Sequence, residues 1–120
     1  MQRLLRYTLV GAVATAVHYT LLVLGVEIGA WPAWWASGFG AVVGAQVAYL
    51  GNRQYTFAHR GRLVVSWPRF QLTALAGAVL GMLIVAAAVW LGWHYLVGQV
   101  VATLASLLVT FTINRLWTFR

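Results

Sequence analysis

Cysteine, aspartate and lysine are all absent, and Glu27 is the single acidic residue among 120. Without cysteine there can be no disulfide, thiol chemistry or thiolate metal site. One carboxylate per chain excludes paired-carboxylate acid–base chemistry within that chain. Ser37, Ser66 and Ser106 have no histidine–acid companion that would make one of them a nucleophile. The three histidines, His18, His59 and His94, fall at different depths of the segments drawn below and do not share a metal ion. These gaps point away from an enzyme: the sequence offers no catalytic residue, no metal site and no cofactor site. Charge itself is scarce. Only 8% of residues are charged and 62% are hydrophobic, against about 25% charged in a soluble domain. Such a chain cannot cover itself with polar surface, and the reading is an all-α integral membrane protein.

The charge that is present is arginine. Eight arginines and one acid give a net charge of +7. They are spread in small groups between apolar runs, which speaks against a continuous nucleic-acid surface. Arginine to the exclusion of lysine points either to phosphate recognition by the planar guanidinium or to the base composition of the gene. A second feature is an echo. Asn52-Arg53-Gln54-Tyr55-Thr56-Phe57 returns 62 positions later as Asn114-Arg115-Leu116-Trp117-Thr118-Phe119. Each copy directly follows a long apolar run, so the chain reads as two copies of one unit.

Four apolar segments can be drawn, at Tyr7–Ile28, Ala33–Leu50, Phe70–Trp90 and Leu96–Ile113. Each approaches the roughly 20 residues that a helix needs to cross the hydrocarbon core, and runs of this length without alternation favour helices. The first run exceeds the 7–15 residues of a signal-peptide core and is read as retained. Arg3 and Arg6 precede the first segment. Arg53, Arg60, Arg62 and Arg69 lie between the second and third, and Arg115 and Arg120 follow the fourth. The other two connections hold no arginine, so the positive-inside rule places both termini in the cytoplasm. Trp31, Trp34, Trp35, Trp90 and Trp93 gather toward the outer face, and Tyr7, Tyr55, Trp67 and Trp117 toward the inner one, as interfacial belts do. In the one long connection, Ala58 to Pro68, Leu63 to Trp67 are expected to rest on the membrane surface. Ser66 and Pro68 are expected to open the third helix, with Arg69 in its first turn.

Both halves open on arginine and an aromatic, Arg6-Tyr7 and Arg69-Phe70, and close on the Asn-Arg motif. The expected fold is therefore four transmembrane helices as two parallel-repeat hairpins, N-in and C-in, with repeat 1 at 1–58 and repeat 2 at 66–120. Gly40, Gly44 and Ala48 in the second segment, and Gly77 and Gly81 with Ala74 and Ala78 in the third, mark faces for close helix contact. Four short helices enclose little volume, so a homodimer is expected.

Arg6-Tyr7 with Gly11, Arg69-Phe70 and the doubled Asn-Arg-x-aromatic-Thr-Phe resemble the GtrA-like family of small four-helix membrane proteins. The resemblance covers nearly the whole chain. It implies a protein of the cytoplasmic membrane of a prokaryote that moves a polyprenyl-phosphate-linked sugar to the outer leaflet. There a separate membrane glycosyltransferase would use the sugar for the cell-surface polysaccharide.

For such a substrate, Arg6, Arg53, Arg69 and Arg115 share one depth near helix ends. The N-termini of the first and third helices there would favour an anion, making a phosphate port. Asn52 and Asn114 would orient the guanidinium groups or bond sugar hydroxyls. Arg3, Arg60, Arg62 and Arg120 read as anchors that bond membrane lipid headgroups. His18, about 16 Å along the first helix from Tyr7, is a polar group for a groove, as are Gln46 and Gln71, though each could equally bond a neighbouring helix. Glu27 belongs at the outer interface, as an interfacial group or paired with His94 or an incoming arginine. Two alternatives stay open: a non-transporting anchor that recruits the glycosyltransferase through the basic loop, and a small cation exporter. The exporter would need an acid at mid-bilayer, and Glu27 lies about 30 Å along its helix from Tyr7.

Overall fold

The computed structural model describes residues 2–51, 53, 63–113 and 116, and these form four helices and no strand. They are α1 (Gln2–Glu27), α2 (Ala33–Gly51), α3 (Leu63–Trp90) and α4 (Tyr95–Ile113). Each contains one of the apolar segments. α1 packs on α2, α2 on α3, and α3 on α4. The long axis measures 45 Å, close to the 40–45 Å of a bilayer with its headgroup regions.

Two stretches are long and apolar enough to span a membrane, Thr8–Glu27 and Trp67–Trp90, and Tyr95–Thr110 is a shorter apolar one. α2 is the most enclosed by its neighbours. It lies against both α1 and α3, and Ala36, Ser37, Gly38, Gly40 and Gly44 are buried there. Much of the interior is alanine and glycine, with Leu22 and Val85 as fully buried large residues, and most leucines face outward. Ala14, Ala36, Ala78, Ala88 and Ala102 are buried, whereas Leu75, Leu83, Leu104 and Leu108 are exposed. Lipid tails are as apolar as leucine, so helices in a bilayer gain most by letting backbones approach and by bonding polar groups between them.

The closest approaches explain the small-residue faces. A Cβ on Gly40 would lie 2.6 Å from the His18 carbonyl oxygen, and one on Gly44 would lie 3.0 Å from that of Ala14. In the second hairpin, Gly77 faces Thr110, and Gly81 faces Ala102 and Ser106. The glycines thus draw α1 onto α2 and α3 onto α4 within one chain.

Two helix starts differ from the sequence expectation. α1 begins at Gln2 rather than near Tyr7, since no glycine or proline interrupts the intervening arginines and leucines, which are good helix formers. α3 begins at Leu63, so Ser66 and Pro68 lie inside it and Arg69 is its seventh residue. The first four N–H groups of a helix have no partner within it, and a proline this near the start forfeits a single bond. Arg69 therefore stands about 9 Å past the helix start, outside the first turn where the N-terminal field acts.

Both tight turns close at one end of the bundle. After α3, Gly92 adopts φ 87°, the Gly92 N–H bonds the Val89 carbonyl, and the Trp93 N–H bonds that of Ala88. This pair of bonds with a left-handed residue is a Schellman cap. After α1, Ala30 takes the left-handed role at φ 54°, and the Trp31 N–H returns to the Gly25 carbonyl. At the same end the Tyr95 hydroxyl donates to Glu27 Oε1 at 2.8 Å. Glu27 is thus paired with Tyr95, where the expectation was an interfacial group or a pair with His94 or an incoming arginine. His94 is engaged otherwise: its Nδ1 accepts the Leu96 N–H at 3.1 Å, capping α4, and its ring stacks on that of Tyr95. Trp31, Trp34, Trp35, Trp90 and Trp93 are exposed around this end.

Gly40→Val is expected to lower the stability of the detergent-solubilised protein by about 2 kcal/mol or more, because the obstacle is backbone. Gly11, where a Cβ would meet nothing within 4 Å, should accept alanine with no loss. Thermal unfolding followed by circular dichroism checks both.

Candidate functional site

α4 carries Gln99, Thr103, Ser106 and Thr110 at i, i+4, i+7 and i+11. That spacing puts four polar side chains on one face of a helix. Water is missing from the bilayer core, so such a face turns inward, toward other polar groups or a cavity. Here it does both. The four residues line a cavity of about 270 Å³ between the helices, together with Thr15 and His18 of α1, Ser37 of α2 and Thr73 of α3. The remainder of the lining is mostly alanine and glycine, with Phe70 and Leu107 the large exceptions.

A chain of hydrogen bonds holds the polar wall. Ser37 Oγ donates to Gln99 Oε1 at 2.5 Å. Gln99 Nε2 donates to Thr103 Oγ1 at 3.1 Å, and the Tyr19 hydroxyl shares a bond with Thr103 Oγ1 at 2.8 Å. Three helices are thereby tied together at one level. Lower down, Ser106 Oγ donates to the Gly77 carbonyl at 3.0 Å, and Thr110 Oγ1 donates to the Ser106 carbonyl at 2.7 Å.

The cavity has a numerical regularity. Its α2 lining is Ser37, Ala41, Gly44, Ala45 and Ala48, and its α4 lining is Gln99, Thr103, Ser106, Leu107 and Thr110. Each α4 residue stands 62 positions after its α2 counterpart, the offset between the two Asn-Arg motifs. Ala14, Thr15 and His18 on α1 likewise stand 63 positions before Gly77, Ala78 and Gly81 on α3. The two walls share a register but differ in chemistry. α2 contributes small residues, and α4 contributes hydroxyls and an amide.

The residues singled out from the sequence are distributed as follows. His18 lines the cavity, and its Nε2 is buried with no hydrogen-bond partner among the described residues. Gln46 and Gln71 bond one another reciprocally, Nε2 to Oε1 at 2.6 and 3.1 Å, and they bridge α2 and α3 without appearing in the cavity wall. Arg6 is exposed on the second turn of α1, and Arg69 is half-buried. Thr73, on the cavity wall, donates to the Arg69 carbonyl at 2.9 Å, and Phe70 lines the cavity beside it. Arg69 precedes Phe70 in the chain and is not itself part of the cavity wall. Arg53 is half-buried, and its Nε is buried with no partner among the described residues. Asn52, Asn114 and Arg115 lie outside the described residues, as do Arg60, Arg62 and Arg120.

Sequence reasoning missed Tyr19, Ser37, Gln99 and Thr103. The helical spacing of the α4 polar residues was the available signal. Counting 62 forward from Ser37 reaches Gln99.

Ser37, Thr73, Ser106 and Thr110 each spend their single O–H on a protein oxygen, so toward a ligand this lining offers hydroxyl lone pairs and the unpartnered His18 Nε2. A volume of about 270 Å³ is at the lower edge of ordinary ligand sites, roughly 300–1,000 Å³.

Gln99→Leu keeps the side-chain volume and removes its hydrogen bonds to Ser37 and Thr103. It should cost about 1–2 kcal/mol, given roughly 0.6 kcal/mol per bond between membrane helices plus the groups left unpaired. Denaturant unfolding in mixed micelles gives the value, and Ser37→Ala should cost less.

A family model described as GtrA/DPMS, transmembrane domain, matches residues 6–120. Neither a curated protein nor a solved structure matches the chain.

Proposed function

The chain belongs to the GtrA/DPMS transmembrane-domain family and is a membrane protein; from that premise we propose that it moves a polyprenyl-phosphate-linked sugar from the cytoplasmic to the outer leaflet. The observation that carries this reading is a cavity inside an apolar bundle with a stripe of polar side chains along its α4 wall. A polyprenyl-linked sugar has three parts with different needs. The tail needs lipid, the phosphate needs cations with several donors, and the sugar needs paired donors and acceptors. Arginine answers the second need through its planar fork. The acceptor oxygens of the α4 stripe and the unpartnered His18 Nε2 answer the third in part.

In this reading both termini are cytoplasmic, because all eight arginines fall on one side of the four helices. The hairpins are two parallel repeats, an arrangement supported by the 62- and 63-residue correspondences across the cavity. Arg53 and Arg69, with Arg6, Arg115 and the two motif asparagines, receive the phosphate at the inner level. The buried, unpartnered Arg53 Nε supports such a role, since a buried donor left empty is costly. The sugar then passes along the polar wall while the tail stays in lipid. No bond in the substrate is made or broken, so the protein is a carrier and not an enzyme. The setting is the cytoplasmic membrane of a prokaryote. A homodimer and a glycosyltransferase that consumes the delivered glycolipid are the partners.

Arg53→Ala and Arg115→Ala should each reduce glycolipid delivery to the outer leaflet by tenfold or more, with insertion unchanged. Surface labelling of the delivered sugar measures delivery. Purified protein in liposomes should flip the lipid without any partner. Failure there, with recruitment of a glycosyltransferase intact, would favour the anchor.

A further inference from the structure

The two seams between the hairpins are unlike. α2 packs directly against α3, and the Gln46–Gln71 pair locks that seam. On the other side α1 and α4 barely approach. Hydroxyl bonds cross that gap from Tyr19, to Thr103 and to the Gln99 carbonyl, and from Tyr95 to Glu27. We infer that the α1–α4 seam is a side window, through which the tail of one lipid leaves the cavity while its polar head sits inside.

Exposure locates the window. Among the residues that line the cavity, the exposed ones are Thr15 on α1 and Leu107 on α4. Thr15 lies 12 residues before Glu27, and Leu107 lies 12 residues after Tyr95. Both are therefore about 18 Å from the end fixed by the Glu27–Tyr95 bond, one on each side of the seam. Tyr19 and Thr103 are each one turn nearer that end, so their bond forms the lintel. One turn the other way, Gly11 leaves open space where a side chain would stand.

The chemistry selects the occupant. Inside are hydroxyls, an amide and the unpartnered His18 Nε2. Outside, the flanking Leu104 and Leu108 are exposed and apolar. A free sugar would have no use for a window onto hydrocarbon, and a pure hydrocarbon would have none for the polar wall. An amphiphile with one compact polar head and one long tail satisfies both sides, because each part stays in its preferred solvent. The class is thus a single-chain lipid phosphate or its glycosylated form, in which the tail never crosses protein. The assignment rests on the translocation reading for its purpose and on the seam geometry for its place.

The test uses the full chain in liposomes with a polyprenyl phosphate bearing a diazirine in its first isoprene units. After irradiation, mass spectrometry maps the adducts. Adducts should concentrate around Thr15 and Leu107 and fall at least fivefold in Thr15→Trp, which plugs the opening. Adducts centred on the Gln46–Gln71 seam, or spread evenly over the outer surface, would overturn the window. Flipping is measured in parallel. Thr15→Trp should slow it at least tenfold, and Leu75→Trp, on the exposed face of α3, should leave it unchanged. Labelling at the window without flipping in the wild type would refute translocation and keep the window. Flipping with labelling elsewhere would do the reverse. The wild-type map stands even where the tryptophan variant fails to fold.

Discussion

The Ser37–Gln99 hydrogen bond, 2.5 Å long and buried, is where the two hairpins meet at equivalent positions. Inside a bilayer such a bond has no water to compete with it, and leaving either group alone would cost more than the bond returns. It fixes the register of α2 against α4. The remaining cavity residues of the two helices keep the same 62-residue offset, from Ala41 and Thr103 to Ala48 and Thr110. The site is a consequence of this alignment more than of any single side chain.

The two walls then divide the work. Close packing of α1 on α2 requires a carbonyl to meet a glycine, as at His18 and Gly40, and this keeps the α2 wall small. The α4 wall is under no such demand at Thr103 and Ser106, so it can carry hydroxyls into the space that the small wall leaves. Had both walls been polar and large, the volume would vanish. With both small, nothing would recognise a polar ligand. The unequal pairing is what produces a cavity that is at once open and polar.

Much of this was legible in the chain. The apolar runs gave the number of helices and most of their ends, because length and hydropathy are local properties. The starts of α1 and α3 were not legible. Arginine, serine and proline resemble a loop in sequence, yet the helix continues through them at the membrane edge, where Pro68 forfeits a single bond. Glu27 was read as an interfacial group or a partner of His94 or an incoming arginine, and it bonds Tyr95, one residue from His94. His94 already spends its Nδ1 on the α4 backbone, a competition that only the turn geometry reveals. Gln46 and Gln71 stood out as polar residues at depth. Their bond to each other crosses from one hairpin to the next, a contact that periodicity within a helix cannot show. Of the residues proposed to meet a phosphate, Asn52, Asn114 and Arg115 lie outside the described residues, so for these three the repeated motif is what there is to read.

The glutamine pair also makes the two seams unlike. Under the same offsets, its counterparts are Leu108 and Thr8. A leucine has no amide to offer, so the seam between α1 and α4 cannot be riveted in the same way and rests on the hydroxyls of Tyr19 and Tyr95 instead. Two hairpins cut to one register are in this way fastened differently on their two flanks.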